Sequence, residues 1–151
     1  MSFEITMNSP IGPLQLASDG VALTQLSLST HALRENSCAL LEEAKRQING
    51  YFQGQLRQFD LPLKPHGTLF QQQVWRQLQQ IKFGETSSYG EIANRIHNPK
   101  AVRAVGMANR SNPIALIIPC HRIIGANRKL VGYAGGISIK KWLLEHEGGW
   151  P

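Results

Sequence analysis

The chain has 151 residues, of which 42% are hydrophobic and 17% charged, a composition unlike that of disordered, collagen-like or coiled-coil proteins. A chain of this length can fold without disulfides or metal, and its longest apolar run, 114–119, is far too short to cross a bilayer. The formal net charge is +6 at pH 7. With two cysteines and no basic or apolar leader, we expect a protein of the reducing cytoplasm.

The positive charge lies mainly in one part of the sequence. No aspartate or glutamate occurs between Ile92 and Leu144. The same stretch contains nine cationic residues, which are Arg95, Lys100, Arg103, Arg110, Arg122, Arg128, Lys129, Lys140 and Lys141. This distribution predicts a surface that faces a polyanion, with nucleic acid as the first candidate and a solvated basic face as the alternative.

The N-terminal part is predicted to be a small α/β domain. Alternating apolar and polar residues predict strands within 3–28, and Asp19-Gly20 predicts a hairpin turn. Apolar residues at fourfold spacing predict a helix over 38–52. The segment 59–67 contains two prolines and a glycine and has no periodicity, so it is interpreted as a connection. We therefore expect a domain at 1–62, a linker at 63–67 and a second domain at 68–151.

The C-terminal part is predicted to contain a helix-turn-helix. Two capping boxes, 68–71 and 88–91, each precede an apolar stripe of helical period. After the second stripe, Asn98 and Pro99 predict a cap and the start of a helix that runs to about Asn109. Two short helices joined by a tight turn are typical of this DNA-binding motif.

The second helix of the motif is rich in small residues. Ala101, Ala104, Gly106 and Ala108 leave room for a close backbone approach, and Arg103 is set among them. The helix lacks the amide and multiple arginine side chains that read base edges in the major groove. It favours sequence-tolerant binding in the minor groove, with close packing against a neighbouring helix as the alternative.

Cys120 follows an apolar run, 114–118, that we interpret as a buried strand at most. Nearby cations lower the pKa of a thiol whereas burial raises it, so both a reactive thiolate and a small buried hydrophobe fit this position. His121 is adjacent in sequence, and neighbouring residues on a regular element do not face each other. A hydrogen bond between the two side chains therefore needs a turn or a bridging water.

Glu147 lies in the last turn of a helix that is predicted from Ile139 onwards. The helix dipole disfavours an anion at this end. A cationic or donor partner is therefore expected, and His121 and Arg122 are available. A solvated terminal glutamate is the alternative.

Four motifs carry a resemblance, at 112–113, 119–122, 132–136 and 142–148. With them the chain resembles the O6-alkylguanine-DNA alkyltransferase family, also called methylated-DNA–protein-cysteine methyltransferases, and most of all its short bacterial form. The resemblance runs without a gap from about 70 to 148. It implies an α/β (α+β) fold class, with a ribonuclease-H-like N-terminal domain and a mainly helical C-terminal domain that carries a winged helix-turn-helix.

The resemblance implies a role for each of five residues. Cys120 is the acceptor that keeps the alkyl group as a thioether. His121 acts through a water as the base that helps form the thiolate, and Glu147 orients His121. Asn112 braces the turn that leads to the site, and Tyr133 donates its hydroxyl to the departing guanine.

The resemblance also implies a DNA-contacting set and a base pocket. Arg103 takes the place of the extruded nucleotide in the base stack, and Tyr89 crowds the neighbouring phosphate. Backbone amides near Ile123 and in 134–136 are expected to line the pocket, and Asn109 is expected to leave room for larger alkyl groups. The expected DNA contacts are Tyr89, Lys100, Ala101, Arg103, Ala104, Gly106 and Arg110. The expected pocket residues are Asn109, Pro119, Ile123, Ala134 and Gly135.

The implied activity is DNA repair by direct reversal of O6-alkylguanine, and of O4-alkylthymine, in duplex DNA. The nucleotide is flipped out of the stack because O6 is buried in the duplex, and each protein molecule reacts once. No cofactor is expected, and the protein is expected to bind DNA as a monomer, largely independently of sequence. No metal is expected either, because in the first domain only Cys38, His31 and His66 offer zinc ligands.

Three other functions each require features that can be compared with the sequence. A non-enzymatic protein of the same fold that senses alkyl lesions would lack the acceptor, whereas Cys120 is present. A cysteine hydrolase would need direct contact between Cys120 and His121 and an oxyanion hole. A helix-turn-helix regulator would need a dimer interface and base-reading side chains.

Overall fold

The structure is a computed structural model. It describes residues 2–28, 35–125, 127–133 and 135–150. The chain divides into two compact units, Met1–His66 and Gly67–Pro151. The first unit is an antiparallel sheet with one helix and the second is mainly helical, which confirms the predicted fold class. No helix among the described residues is long and apolar enough to span a membrane.

In residues 2–28 and 35–66 the N-terminal unit forms a four-stranded sheet and one long helix. Its elements are β1 (Phe3–Met7), β2 (Leu14–Ser18), β3 (Leu23–Leu28), β4 (Glu35–Asn36) and α1 (Ala39–Phe52), and the strand order is β3-β2-β1-β4. Ile5 lies opposite Leu16, and Leu16 lies opposite Leu26. These side chains are buried together on one face, as the alternation predicts. The exception is β4, whose two exposed residues carry no alternation that could reveal a strand.

The edge of β3 is partly covered by the segment expected to begin the linker. Leu23 donates its amide to the carbonyl of Pro62 at 2.8 Å, and Lys64 donates its amide to the carbonyl of Leu23 at 2.8 Å. Leu63 thus forms a parallel bridge with Leu23. An edge strand offers unpaired backbone groups, and this extended, proline-containing segment satisfies two of them.

The described residues of the C-terminal unit form four helices and one 3₁₀ turn. They are α2 (Leu69–Leu78), α3 (Tyr89–Arg95), α4 (Val102–Arg110), the 3₁₀ turn (Cys120–Arg122) and α5 (Ile137–Glu147). The capping box that starts α2 is complete, with Thr68 and Gln71 each satisfying the other's backbone amide. The indole of Trp75 donates to the carbonyl of Ala108 at 2.8 Å, which joins α2 to the end of α4.

Two of the predicted helix starts differ from the structure. Ser88 caps α3, but the Glu91 carboxylate accepts from the Ser87 hydroxyl at 2.8 Å, so the second predicted capping box is only half formed. Helix α4 begins at Val102, three residues later than expected. Asn98 accepts from the amide of Ala101 at 3.0 Å through its carbonyl and closes a turn instead of capping a helix.

The apolar run before Cys120 folds as a tight turn, so the expectation of a strand is wrong. The amide of Ile117 donates to the carbonyl of Ala115 and that of Ile118 donates to Ile114, at 2.8 and 3.0 Å. Leu116 has a φ of +72°, which a strand does not allow. Prolines flank the run on both sides and supply no ladder donor, which favours the turn.

Candidate active site

Cys120 is the first residue of the 3₁₀ turn, and only 5% of it is exposed. The turn that delivers it is held by Asn112. The Asn112 amide donates to the carbonyl of Ile118 at 2.7 Å, and its carbonyl oxygen accepts from the amide of Ile114 at 3.0 Å. Asn112 therefore spans the turn, and its side chain acts to lower the pKa of the Cys120 thiol.

His121 lies in a buried cluster with Glu147 and Arg122. Its Nε2 lies 2.9 Å from Oε2 of Glu147, and since a carboxylate only accepts, Nε2 carries the proton. Arg122 donates to both oxygens of the same carboxylate, from Nε at 2.8 Å and from Nη2 at 3.0 Å. Of the two partners expected for Glu147, His121 and Arg122, both contact its carboxylate.

Two glycines bring Glu147 to this position. Gly148 ends α5 in the left-handed conformation, with φ at +74°. A Cβ atom on Gly149 would come within 2.7 Å of the carbonyl oxygen of Gly84, so the two backbones meet where only glycine fits. Arg122 adds a third tie, because its Nη1 donates to the carbonyl of Ile81 at 2.6 Å.

Burial and charge decide the resting ionisation of the cluster. Burial raises the pKa of Cys120, although Asn112 and the charge of Lys140 oppose this. Burial also lowers the pKa of His121, and the charges of Arg122 and Lys140 act in the same direction against the pull of Glu147. For Glu147, burial is outweighed by hydrogen bonds and charges from His121 and Arg122, which lower its pKa. The resting state is thus a thiol, a neutral imidazole and a carboxylate.

Two phenols lie close enough to Cys120 for its charge to affect them. Tyr133 is 8% exposed, and burial together with Cys120 raises its pKa. Tyr89 starts α3 and is half-buried, and burial raises its pKa against the opposing effect of the Asn109 amide. Both hydroxyls keep their protons at neutral pH and are available as donors.

Lys140 is fully buried in α5, so its assignment to a polyanion-facing surface is wrong. Its Nζ donates to the carbonyl of Val131 at 3.0 Å. The residue shares the buried face of α5 with Leu143, Leu144 and Glu147, and this helical spacing is readable in the sequence. Arg122 is buried as well. The remaining seven cations of the acid-free stretch are exposed.

The solvent face of α4 carries much of the expected DNA-contacting set. Arg103, Ala104 and Arg110 are exposed on it, and Lys100 is exposed just before it. Ala101 is half-buried, and so is Gly106, where an added Cβ would lie 3.8 Å from the Tyr89 ring. Ala108 is buried, so it packs inward and leaves no room for an approaching backbone. Met107, which was not among the expected DNA contacts, is 67% exposed on this face.

The expected pocket residues are mostly buried around Cys120. Asn109 is 2% exposed, and its Nδ2 lies 3.5 Å from the carbonyl of Cys120. Pro119 and Ile123 are buried and Gly135 is half-buried, whereas Ala134 lies outside the described residues.

The backbone donors expected to line the pocket are largely engaged. The amides of Ile123, Ile124 and Gly136 donate to the carbonyls of Cys120, Ser87 and Tyr133, respectively. These three amides are therefore already engaged within the chain, whereas the amide of Ala134 lies outside the described residues.

The described residues contain no group of three or more His, Cys, Asp and Glu side chains that could hold a metal ion. Cys38 is a free, half-buried thiol that precedes α1, without a side-chain hydrogen bond to the helix. His66 is described, whereas His31 lies outside the described residues.

Both units of the chain match the models of one known protein family. The family model described as "6-O-methylguanine DNA methyltransferase, DNA binding domain" matches residues 69–149. The model of the ribonuclease-like domain of the same family matches residues 3–65. The chain belongs to the 6-O-methylguanine DNA methyltransferase family. The resemblance found in the sequence is thereby confirmed.

Individual family members are similar over nearly their whole length. A methylated-DNA–protein-cysteine methyltransferase of Methanosarcina acetivorans is 51% identical, over 93% of this chain and 94% of its own. The crystal structure of Mycobacterium tuberculosis O6-methylguanine methyltransferase has a TM-score of 0.90 at 48% identity and covers 100% of this chain and 95% of its own. The structure of Mycobacterium tuberculosis OGT in complex with DNA has a TM-score of 0.88 at 51% identity, over 95% and 91%.

Proposed function

We propose that this protein repairs alkylated duplex DNA by moving the alkyl group from O6 of guanine to Sγ of Cys120. The observation that carries the proposal is a buried cysteine joined through the backbone to a His121–Glu147–Arg122 cluster, in a unit whose helix α4 presents arginines to solvent. The DNA named for the Mycobacterium tuberculosis complex supports the choice of partner. O4-alkylthymine is a second proposed substrate, because it presents the same alkyl–oxygen bond.

The transfer is a single displacement that begins when His121 accepts the thiol proton. His121 takes the proton of the thiol at Nδ1, which has no hydrogen-bond partner among the described residues. Side chains of consecutive residues in a 3₁₀ turn diverge, so one water relays the proton. Sγ then forms a bond to the alkyl carbon as the carbon–O6 bond breaks and its electron pair goes to the guanine.

Tyr133 completes the proton balance. Its hydroxyl is buried beside Cys120 and protonated, and we assign it as the donor that lets guanine leave as a neutral base. The proton that His121 took from the thiol then passes to the Tyr133 phenolate and restores the phenol. The thioether has no hydrolytic route back, so each molecule reacts once.

The target base must leave the helix to reach this thiol. Cys120 is 5% exposed, and O6 of a paired guanine is enclosed by the duplex, so the nucleotide is extruded at a cost of a few kcal/mol. Backbone-directed binding by the exposed cations of α4 supplies this energy without reading sequence. Arg103 is assigned to the vacated position in the stack and Tyr89 to the adjacent phosphate. A free thiol acceptor suits a reducing compartment, so we assign the protein to the cytoplasm.

Intact-mass measurement tests the proposal directly. The protein is incubated with excess duplex oligonucleotide that contains O6-methylguanine, and we expect a gain of one CH₂ group that maps to Cys120. Cys120→Ser should abolish the gain, and Cys38→Ser should leave it intact. An unmodified protein that still binds the lesion duplex would instead establish a lesion sensor. Repeated turnover would contradict the one-reaction mechanism.

A further inference from the structure

Two buried side-chain atoms have no hydrogen-bond partner in the part of the chain that the structure describes. They are Nδ1 of His121 and Oδ1 of Asn109. The proposed transfer uses the first atom and leaves the second unexplained. A buried acceptor without a donor is costly, and leucine, which is close to asparagine in shape, would fill the position without that cost. The oxygen of Asn109 therefore fits a ligand that brings its own donor.

The nitrogen end of the Asn109 amide is held at the active-site turn. Asn109 is 2% exposed, and its Nδ2 lies 3.5 Å from the carbonyl oxygen of Cys120. Because a carbonyl oxygen only accepts, this end of the amide is the NH₂ group, and the oxygen is the end that is left over. The pKa of Tyr89 responds to both Asn109 and Cys120. The amide and the thiol therefore share one phenol as a neighbour and belong to the same pocket.

A guanine whose O6 substituent reaches Cys120 brings a donor into this pocket. Its 2-amino group lies on the same Watson–Crick edge as O6, and a flipped base is read through hydrogen bonds to that edge. O4-alkylthymine presents a different edge, because its carbonyl oxygen O2 takes the place of the 2-amino group. Two carbonyl oxygens cannot form a hydrogen bond with each other. Only guanine therefore supplies the donor that Oδ1 of Asn109 lacks.

We propose that Oδ1 of Asn109 accepts a hydrogen bond from the 2-amino group of the flipped guanine, and that this contact makes the site prefer O6-alkylguanine to O4-alkylthymine. The inference rests on the proposed alkyl transfer and adds to it the residue that selects the base. The contact forms only when the base occupies the pocket, so it contributes to the rate of transfer. O4-alkylthymine leaves the oxygen without a donor and is the slower substrate.

The test compares duplexes that differ only in the 2-amino group of the damaged base. One contains O6-methylguanine and the other O6-methylhypoxanthine, and intact mass gives the second-order rate of methyl transfer to Cys120 from each. We expect the ratio of the guanine rate to the hypoxanthine rate to be about tenfold higher in the parent protein than in Asn109→Leu and Asn109→Ala, since only the parent loses a buried hydrogen bond with the amino group. The ratio of the O6-methylguanine rate to the O4-methylthymine rate should fall in the same variants.

Asn49→Leu is the matched control, because Asn49 is an exposed asparagine of the N-terminal unit, and it should keep the ratios of the parent. Any difference in how easily the two bases leave the duplex is the same for every variant and cancels. Thermal unfolding shows which variants are folded, and Asn109→Ala keeps the test valid if Asn109→Leu does not fold.

Two results would overturn the inference, and they differ in what they say about the proposed function. Methyl transfer by the parent with the same rate ratios in a folded Asn109 variant would overturn the inference alone and would assign Oδ1 to a water molecule. An unmodified Cys120 in the parent on every duplex would overturn the proposed function and the inference with it.

Discussion

His121 experiences two opposing influences on its proton affinity. Full burial disfavours the imidazolium, and the Glu147 carboxylate at 2.9 Å favours it. Arg122 donates two hydrogen bonds to that carboxylate and offsets its charge. Burial therefore remains the largest influence on the pKa of His121. The imidazole is thus neutral and ready to accept a proton at Nδ1, while Nε2–H fixes the ring against Glu147.

This ionisation predicts a specific loss of stability in mild acid. The pKa of His121 is lowered from 6.5 by folding, so below that pH the unfolded chain binds a proton that the folded chain does not. Stability should therefore fall as the pH drops from about 6.5, and Glu147 adds a further loss below about 4.5 because its pKa is also lowered. Urea unfolding at pH 7 and pH 5 measures the slope. His121→Gln should flatten it, and an unchanged slope would contradict the assignment.

Removing the charge of Glu147 should destabilise the fold. Glu147→Gln leaves the Arg122 guanidinium buried without its anion, and breaking a buried pair in this way costs about 3–5 kcal/mol. Glu145→Gln is the matched control, because Glu145 is exposed on the same helix and surface changes stay within about 0.5 kcal/mol. Chemical denaturation of both variants gives the difference. Similar midpoints for the two would show that Arg122 finds another partner.

Among the elements, those defined by local patterns could be predicted from the sequence. Alternation revealed β1 to β3, and the Thr68–Gln71 pair fixed the start of α2. The boundary of α4 was misplaced because Asn98 and Pro99 have the same preference for a turn as for a helix start. The burial of Lys140 was not predicted, because a lysine is rarely buried without a carboxylate partner. Its spacing from Leu143 and Leu144 nevertheless places it on the buried face of α5.

Contacts between distant residues could not be predicted in the same way. The helix dipole alone predicted that Glu147 needs a cationic or donor partner. The two hydrogen bonds from Arg122 depend on how α5 lies against the 3₁₀ turn, which the sequence does not show. The approach of Gly149 to Gly84 has no local signal at all. The two backbones meet only after the unit has packed.

That approach makes the end of α5 sensitive to a single methyl group. In Gly149→Ala the new Cβ would lie 2.7 Å from the carbonyl oxygen and 2.9 Å from the carbonyl carbon of Gly84. Backbone must then shift, and overpacking of this kind costs about 1–3 kcal/mol. Gly90→Ala is the control, since its Cβ would meet only Ser88 Oγ at 3.9 Å. The thermal unfolding midpoint should fall in Gly149→Ala and not in Gly90→Ala. The rate of alkyl transfer to Cys120 should likewise fall only in Gly149→Ala.

At the scale of the whole molecule, charge is divided unevenly along the chain. Residues from Ile92 to Leu144 contain no acid, and seven of their nine cations are exposed while Arg122 and Lys140 are buried. Arg122 and Lys140 lie in the interior of the C-terminal unit, whereas the seven exposed cations are accessible to phosphates. A count of charges in the sequence does not distinguish the buried cations from the exposed ones.

The salt dependence of DNA binding shows which of the exposed cations contact phosphates. Each phosphate contact contributes about 0.9 to the slope of log K against log salt concentration, so Arg103→Ala and Arg110→Ala should each reduce the slope by about 1. Both side chains are exposed on α4. Lys45→Ala, which removes an exposed cation of the N-terminal unit, is the control and should leave the slope unchanged. Fluorescence anisotropy with an undamaged duplex at several salt concentrations makes the measurement. Equal slopes for all three variants would place the DNA on another face of the molecule, because an arginine of α4 that binds a phosphate must release counterions when it does so.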